Sequence, residues 1–198
     1  MEKINQALFL FLNAPEHPSA VLVALAQGLA NYVIWIVPAV LILGWLRGNE
    51  HVRRLMLVAA ASGVAGLLVN QAIGLVWQHP RPFMMGLGHT LMVHAADSSF
   101  PSDHLTVLWA VSFSFLTHQR WRVAGIILAI LGLPVAWARI YLGVHFPLDM
   151  VGAVIVAGFS VWLCVHEERQ FLEPAFHWIT AIERILFAPL IRRGWIKR

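Results

Sequence analysis

Charge is scarce in this sequence of 198 residues. Lys, Arg, Asp and Glu make up 12% of it, whereas a soluble domain has about 25%, and this scarcity excludes an ordinary soluble protein. Cysteine is nearly absent too, and the single Cys164 excludes a disulfide scaffold. The 14 glycines and 10 prolines follow no period, which excludes a collagen-like repeat. Since 59% of the residues are hydrophobic, intrinsic disorder is excluded and an integral membrane protein remains.

The sequence contains several long apolar runs. A helix needs about 20 residues to cross a bilayer, and the chain has room for five or six such helices but not for a separate soluble domain. We therefore predict an all-α integral membrane protein, a single domain over residues 1–198 built as a bundle of five to six transmembrane helices. The third and fifth runs are short, so their helices are expected to begin below the membrane surface. The runs cover residues 20–46, 55–77, 105–116, 123–140 and 148–165.

Two amphipathic segments flank these runs. The first, at residues 4–12, has no small-residue cleavage site after a basic flank, so we interpret it as mature protein, either interfacial or a short additional span. The second, at residues 172–190, carries Glu173, Glu183 and Arg184 on its polar side, which predicts a helix lying on the membrane. Its apolar stripe consists of Leu172, Phe176, Ile179, Ile182, Leu186 and Leu190.

The basic residues predict the orientation of the bundle. A net charge of +4 is compatible with nucleic-acid binding, but most of the Lys and Arg residues lie beside apolar runs, which indicates a membrane surface instead. Basic residues collect in cytoplasmic loops, and the predicted spans place twelve of the 14 on one side. The two exceptions, Arg81 and Arg139, lie at the outer ends of the second and fourth spans. The twelve are Lys3, Arg47, Arg53, Arg54, Arg120, Arg122, Arg169, Arg184, Arg192, Arg193, Lys197 and Arg198.

Three polar segments lie at the outer ends of predicted spans. They are His-Pro-Arg-Pro-Phe at 79–83, Ser-Phe-Pro-Ser-Asp-His at 99–104, and the segment 139–149, which contains Arg139, His145 and Asp149. Because the second span ends outside, the third begins outside, and the fourth and fifth meet outside, all three segments can converge on one site.

The residue types in these segments suit a phosphate. Arg81 and Arg139 offer planar pairs of donors that match phosphate oxygens and stay charged in a partly dehydrated pocket. Ser102, just ahead of the third span, predicts a helix start whose free backbone N–H groups and hydroxyl face an anion. Together these donors predict a cradle for a phosphate.

The histidines of the same segments supply reactive groups. His145 precedes Asp149 by four residues, with Pro147 suited to the first position of a helix. This spacing permits an imidazole–carboxylate hydrogen bond, which would fix the tautomer and leave the other ring nitrogen free to attack phosphorus. His104 is then suited to protonate the departing oxygen.

The three segments, in this order, resemble the motifs of the type 2 phosphatidic acid phosphatase superfamily, and most of all its bacitracin-resistance branch. That resemblance implies hydrolysis of a polyprenyl diphosphate, undecaprenyl diphosphate, to undecaprenyl phosphate and phosphate at the periplasmic face of a bacterial inner membrane, recycling the carrier lipid for cell-wall synthesis. It implies no cofactor and no metal. His145 would be the nucleophile that forms a phosphohistidine, with Asp149 orienting it and His104 as the general acid. The implied phosphate ligands are Arg81, Ser102, Asp103 and Arg139.

The chain departs from the family pattern at three positions. A lysine usually stands seven residues before the first arginine, and this chain has Gly74 there. Ala138 replaces a serine that often precedes the second arginine. Asp103 replaces a glycine, and we interpret it as either tuning His104 or meeting a hydroxyl of the ligand. Since Gly74 removes a cation that would help an alkoxide to leave, it favours a diphosphate substrate, whose leaving group is less basic.

Several alternatives stay open at this point. A monoester phosphatase acting on phosphatidate or phosphatidylglycerol phosphate, or a lipid-phosphate transporter, would also use these residues. A zinc site from His104, His145 and Asp149 is disfavoured because the two arginines would repel a cation. Among other polar residues, Asn70, Gln71 and Gln78 are interpreted as interhelical hydrogen-bonding groups, and His89 and His94 as solvated in preference to ligands of a second phosphate.

Overall fold

The computed structural model describes residues 2–186, and every regular element in that range is helical. Two helices, α2 and α3, are joined by the 3-10 turn Val33–Trp35 into one continuous run, and a π-helical turn, Glu168–Leu172, precedes the last helix. The helices are α1 (Glu2–Leu12), α2 (Ala20–Tyr32), α3 (Ile36–Arg47), α4 (Glu50–Val76), α5 (Asp103–Leu116), α6 (Arg122–Tyr141), α7 (Pro147–His166) and α8 (Glu173–Leu186).

Four of the helical segments in the described range are long and apolar enough to cross a membrane. They are Ala20–Arg47, Glu50–Val76, Gln119–Tyr141 and Pro147–His166. The predicted third span is short, as expected, because α5 has 14 residues. The expectation that the fifth is also short was wrong: α7 has 20 residues, since Pro147 starts it and it continues to His166.

Helix α5 forms the centre of the bundle and packs against α4, α6 and α7. Its buried hydroxyls are bonded internally: Ser114 donates to Ala110 O at 2.8 Å in its own helix, and Ser112 donates to Gly125 O of α6 at 2.8 Å. The approach of α4 to α5 depends on Gly66, where a Cβ would come within 2.7 Å of Thr106 Cγ2. Small residues and satisfied hydroxyls therefore let the short α5 be enclosed by longer helices.

Helix α1 lies at the same end of the bundle as the predicted site. Its 11 residues extend about 16 Å, too little to cross a bilayer core of about 30 Å. The Asn5 side chain accepts a hydrogen bond from Leu148 N at 3.1 Å, and the Phe9 ring packs edge-on against Phe146. The prediction that Lys3 lies on the opposite side with the other basic residues was therefore wrong, because these contacts hold α1 at the start of α7.

Helix α8 binds the opposite end of the bundle through its acidic residues. Glu183 forms a buried ion pair with Arg53, and Glu173 accepts from Arg54 at 2.8 Å, so both contact α4. Glu183, predicted to lie on the polar side of this helix, is 7% exposed because that side packs against Arg53. The predicted stripe residues Ile179 and Ile182 are exposed, as an apolar stripe on a helix lying on a membrane would be. Leu190, Arg192, Arg193, Lys197 and Arg198 lie outside the described residues.

We expect the two ends of the bundle to face opposite sides of a membrane. Single cysteines introduced into a Cys164→Ala background by Val93→Cys, at the α1 end, and Gln119→Cys, at the other end, are both at exposed positions. An impermeant thiol reagent added to intact cells should label one of them, and the other should react only after permeabilisation. Labelling of both residues in intact cells would contradict the arrangement of the helices.

Candidate active site

The three polar segments predicted to converge do meet in the structure, at the α1 end of the bundle. Ser99 N donates to His79 O at 2.8 Å, which joins the first two segments. Ser102 N donates to Asp149 O at 3.3 Å, and Arg81 Nη1 donates to Val144 O at 2.9 Å, which join both of them to the third. Backbone carbonyls thus fix the relative positions of the segments.

Asp149 and His145 form the predicted imidazole–carboxylate pair. His145 Nδ1 lies 3.1 Å from Asp149 Oδ2, and the same oxygen accepts from Phe146 N at 2.8 Å and from the Ser99 hydroxyl. Pro147 is the first residue of α7, as predicted, and Asp149 caps that helix through the Phe146 N–H. A carboxylate acceptor requires Nδ1 to carry the hydrogen, so Nε2 holds the lone pair.

Burial and the neighbouring arginines keep His145 uncharged. Its side chain is 2% exposed. Burial, followed by the charges of Arg139 and Arg81, lowers the pKa of His145 well below its usual value. A neutral imidazole with a free Nε2 lone pair is the form that can attack phosphorus.

Arg81 lies directly in front of that lone pair. Its Nη1 is 3.1 Å from His145 Nε2, its Nε donates to Asp97 Oδ1 at 2.8 Å, and its Nη2 donates to Ser98 O at 3.2 Å. A guanidinium can only donate, so Arg81 holds the reactive nitrogen of His145 through a hydrogen bond. A phosphate oxygen that replaces His145 as the acceptor would stand beside the nucleophile.

Arg139 is the second buried guanidinium, and its partner is a histidine that the sequence interpretation assigned to solvent. Its side chain is 1% exposed, with Nη2 3.1 Å from His94 Nε2 and Nη1 3.4 Å from Ala30 O. The His94 ring is half-buried and lies 6.1 Å from the His145 ring. The interpretation of His94 as solvated was therefore wrong, whereas His89 is exposed as expected.

The second segment contributes the start of α5. Ser102 is the N-cap residue, and its buried hydroxyl has no hydrogen-bond partner among residues 2–186. His104 is half-buried and is among the groups whose charges act on His145. Asp103 is exposed and accepts from Asn70 Nδ2 at 2.7 Å, an interhelical contact of the kind expected for Asn70. A helix start and an unbonded hydroxyl give the site further donors for an anion.

The loop that carries His94 is held in place by Asn13, which directly follows α1, and by the turn before His145. Asn13 Nδ2 donates to His89 O at 2.9 Å, and Leu91 N donates to Leu142 O at 3.0 Å. Gly143 has φ +83°, and a Cβ there would lie 2.3 Å from His89 O. A glycine is therefore required where the loop crosses the turn.

A cleft of about 400 Å³ is lined in part by Asp97 and Ser98, which are both hydrogen-bonded to Arg81. It lies between the end of α4 and the following loop, and Gly74, Gln78, Asp97 and Ser98 line it. A Cβ at Gly74 would be in ordinary contact, 3.5 Å, with Ser98 Cβ. Position 74 therefore has room for a side chain in the cleft that Asp97 and Ser98 also line.

The family of the chain follows from comparison with known proteins. Residues 52–171, which include all three segments, match the model of the PAP2 superfamily. The chain belongs to the PAP2 superfamily. The site of this PAP2 domain is thus built from the residues that carried the resemblance in the sequence.

Two curated relatives match most of the PAP2 chain. Undecaprenyl-diphosphatase BcrC of Bacillus subtilis (strain 168) is 39% identical over 154 residues, which are 78% of this chain and 79% of BcrC. YbjG of Escherichia coli (strain K12) is 34% identical over 205 residues, which are 100% of this chain and 99% of YbjG. The matches therefore extend beyond the three segments to the helices around them.

A solved structure shows the same fold. It is the first transmembrane PAP2 type phosphatidylglycerolphosphate phosphatase from Bacillus subtilis, with a TM-score of 0.62 and 18% sequence identity. The likeness covers 86% of this chain and 87% of that one. The chain is accordingly a multi-pass membrane protein of the PAP2 fold.

Ser99 is the site residue that sequence reasoning missed, and its hydroxyl is expected to be needed for activity. Ser99→Ala removes a hydrogen bond to a buried carboxylate, a loss of about 1.5–3 kcal/mol, so kcat/KM for release of phosphate from a lipid substrate should fall about tenfold or more. The matched control is Ser98→Ala, because within residues 2–186 the hydrogen bonds of the Ser98 hydroxyl are to the backbone oxygens of Trp77 and Phe100. Equal effects of the two substitutions would contradict the role given to Ser99.

Proposed function

We propose that this PAP2 chain is an undecaprenyl-diphosphatase that hydrolyses the lipid diphosphate to undecaprenyl phosphate and inorganic phosphate. One observation carries the proposal: a neutral, carboxylate-oriented His145 whose free nitrogen faces Arg81. A nucleophile and a phosphate ligand in contact are the minimum that covalent phosphoryl transfer requires. The names of the relatives support the choice of a diphosphate lipid as the substrate.

The proposed reaction has two steps. In the first, His145 Nε2 forms a bond to the terminal phosphorus while the bond from that phosphorus to the bridging oxygen breaks, and His104 gives its proton to the departing lipid phosphate. In the second, water attacks the phosphohistidine and gives a proton to His104, and inorganic phosphate leaves. Arg81, Arg139, Ser102 and the start of α5 stabilise the charge on the phosphoryl oxygens in both steps.

This assignment uses no metal, because the guanidinium groups supply the positive charge that a metal would otherwise provide. Asp103 has a separate proposed role. Its carboxylate is exposed and bonded to Asn70, so it meets a hydroxyl of the ligand or tunes the adjacent His104. In either role it lies beside the phosphate and does not neutralise it.

The proposed setting is the inner membrane of a bacterium, with the active site facing the periplasm. Five crossings, by α2–α3, α4, α5, α6 and α7, and an interfacial α8 form a single domain over residues 1–198. Arg47, Arg53, Arg54 and Arg120 lie at the end opposite the site, which supports a cytoplasmic location for that end. The product, undecaprenyl phosphate, would serve again as the carrier lipid of cell-wall synthesis. Its production would thereby confer bacitracin resistance.

Replacing His145 and replacing His104 should have different effects on turnover and on the phosphoenzyme. His145→Ala should abolish turnover and any acid-labile phosphoenzyme, because the nucleophile is gone. His104→Ala should slow turnover by about 10²- to 10⁴-fold, and more for a poor leaving group than for a good one. Both effects are measured by phosphate release and by trapping of labelled enzyme after an acid-free quench. His118→Ala, at the exposed opposite end, is the control; substantial turnover by His145→Ala would overturn the covalent mechanism.

The substrate is tested by comparing a diphosphate with a monoester. We expect kcat/KM to be at least about tenfold higher for a long polyprenyl diphosphate than for phosphatidate, or about 1.4 kcal/mol in transition-state stabilisation. Gly74→Lys should narrow that ratio by adding a cation to the cleft beside Arg81, while the uncharged Gly74→Gln should not. Equal rates on both lipids in the unmodified protein would favour a monoester phosphatase instead.

A further inference from the structure

His94 is a third histidine in the site, and the proposed reaction gives it no task. It belongs to the loop between α4 and α5, between the exposed residues Val93 and Ala95. Its half-buried ring reaches inward to Arg139 Nη2 and lies 6.1 Å from the ring of the nucleophile His145. The side chain thus stands at the edge of the space where a phosphate would contact Arg139.

The hydrogen bonds of His94 fix its tautomer. Arg139 can only donate, so His94 Nε2, at 3.1 Å, is the acceptor. The hydrogen is then on Nδ1, which donates to Ala95 O at 3.3 Å. His94 therefore presents a lone pair to Arg139 and occupies a donor that a phosphate oxygen would use.

The charges around His94 favour this neutral form. Arg81 and Arg139 face it from two other segments, Asp97 lies in its own loop, and the rings of His104 and His145 are the other titratable groups close by. Burial, together with Arg81 and Arg139, lowers the pKa of His94. An anion bound between the arginines would offset their two positive charges and so favour protonation of His94.

We propose that His94 is the ligand of the second phosphate group of the diphosphate and thereby distinguishes diphosphate from monoester substrates. The inference rests on the proposed function. When a phosphoryl oxygen takes the donor of Arg139, His94 Nε2 is released next to the bound anion, takes up a proton from solvent and donates a hydrogen bond to the adjoining phosphate. A monoester has no second phosphate to receive that bond.

The placement of His94 on a loop suits this change of hydrogen-bond partner from Arg139 to a phosphate. Its backbone neighbours are exposed, so the ring can turn from Arg139 to a ligand without disturbing the helices. The loop itself is held by His89 and Leu91, whose backbone atoms bond to Asn13 and Leu142. The exchange therefore needs rotation of one side chain and no movement of the catalytic pair.

Two variants and one control test the inference with the full-length protein in detergent or vesicles. His94→Ala removes the ligand, and His94→Gln keeps a hydrogen-bonding side chain for Arg139 but cannot become a cation. In both variants kcat/KM for polyprenyl diphosphate should fall about tenfold or more, while that for phosphatidate should fall much less. The control is His89→Ala, because the His89 ring is exposed and belongs to the same loop. It should leave the ratio of the two kcat/KM values, diphosphate to phosphatidate, unchanged.

Inhibition supplies a readout that does not depend on the natural substrate. Methylenediphosphonate has two phosphate-like groups and orthovanadate has one, so the inhibition constant of the first should rise about tenfold in His94→Gln, and that of the second should change far less. Equal losses with both substrates and both inhibitors would show that His94 only positions Arg139 and would overturn the inference. If both His94 variants kept the unmodified protein's ratio of kcat/KM for polyprenyl diphosphate to kcat/KM for phosphatidate, the inference would be overturned as well.

The inhibitor comparison also separates this inference from the proposed function. If the unmodified protein does not prefer the diphosphate lipid, the proposed function fails, yet the dependence of methylenediphosphonate binding on His94 can still be measured. Should the preference be present and His94→Gln leave it intact, the proposed function stands and the role of His94 fails.

Discussion

The site depends on one oxygen atom, Oδ2 of Asp149. It accepts hydrogen bonds from His145 Nδ1, from Phe146 N and from the Ser99 hydroxyl. A carboxylate that is 1% exposed would be costly to bury without such donors. Because those donors come from the nucleophile, from the start of α7 and from the loop before α5, the same contacts cap a helix, orient the imidazole and join two segments distant in sequence.

Recognition of an anion follows from the partners that hold the two arginines in the site. Arg81 and Arg139 each donate to the Nε2 of a neutral histidine, His145 in one case and His94 in the other. A neutral acceptor is a weaker partner for a guanidinium than a phosphate oxygen. The arginines are thus held in position by ligands that a phosphate can replace, and Asp97, the carboxylate bonded to Arg81, is 61% exposed and screened by water.

The sequence predicted the parts of the fold and site that depend on local pattern. Helix limits followed from apolar runs, Pro147 and Ser102 marked helix starts, and the His145–Asp149 contact followed from a four-residue spacing. No role was predicted for Ser99, and His94 was interpreted as solvated, because the partners of both side chains are distant in sequence. The side of α1 was misjudged for the same reason, since Asn5, Phe9 and Asn13 decide it through tertiary contacts that Lys3 does not reveal.

The position of the site restricts what the protein can do to a lipid. A transporter of the alternating-access type needs polar groups near the middle of the membrane, whereas the polar cluster here lies at one end of α4, α5, α6 and α7. The Arg81 side chain and the backbone N–H groups of Leu91, Ser99 and Ser102 all donate to backbone carbonyls at that end. These bonds hold the end in one geometry and oppose its opening toward the other side. A phosphatase of this construction acts on lipid headgroups presented at the end of the bundle where the three polar segments meet.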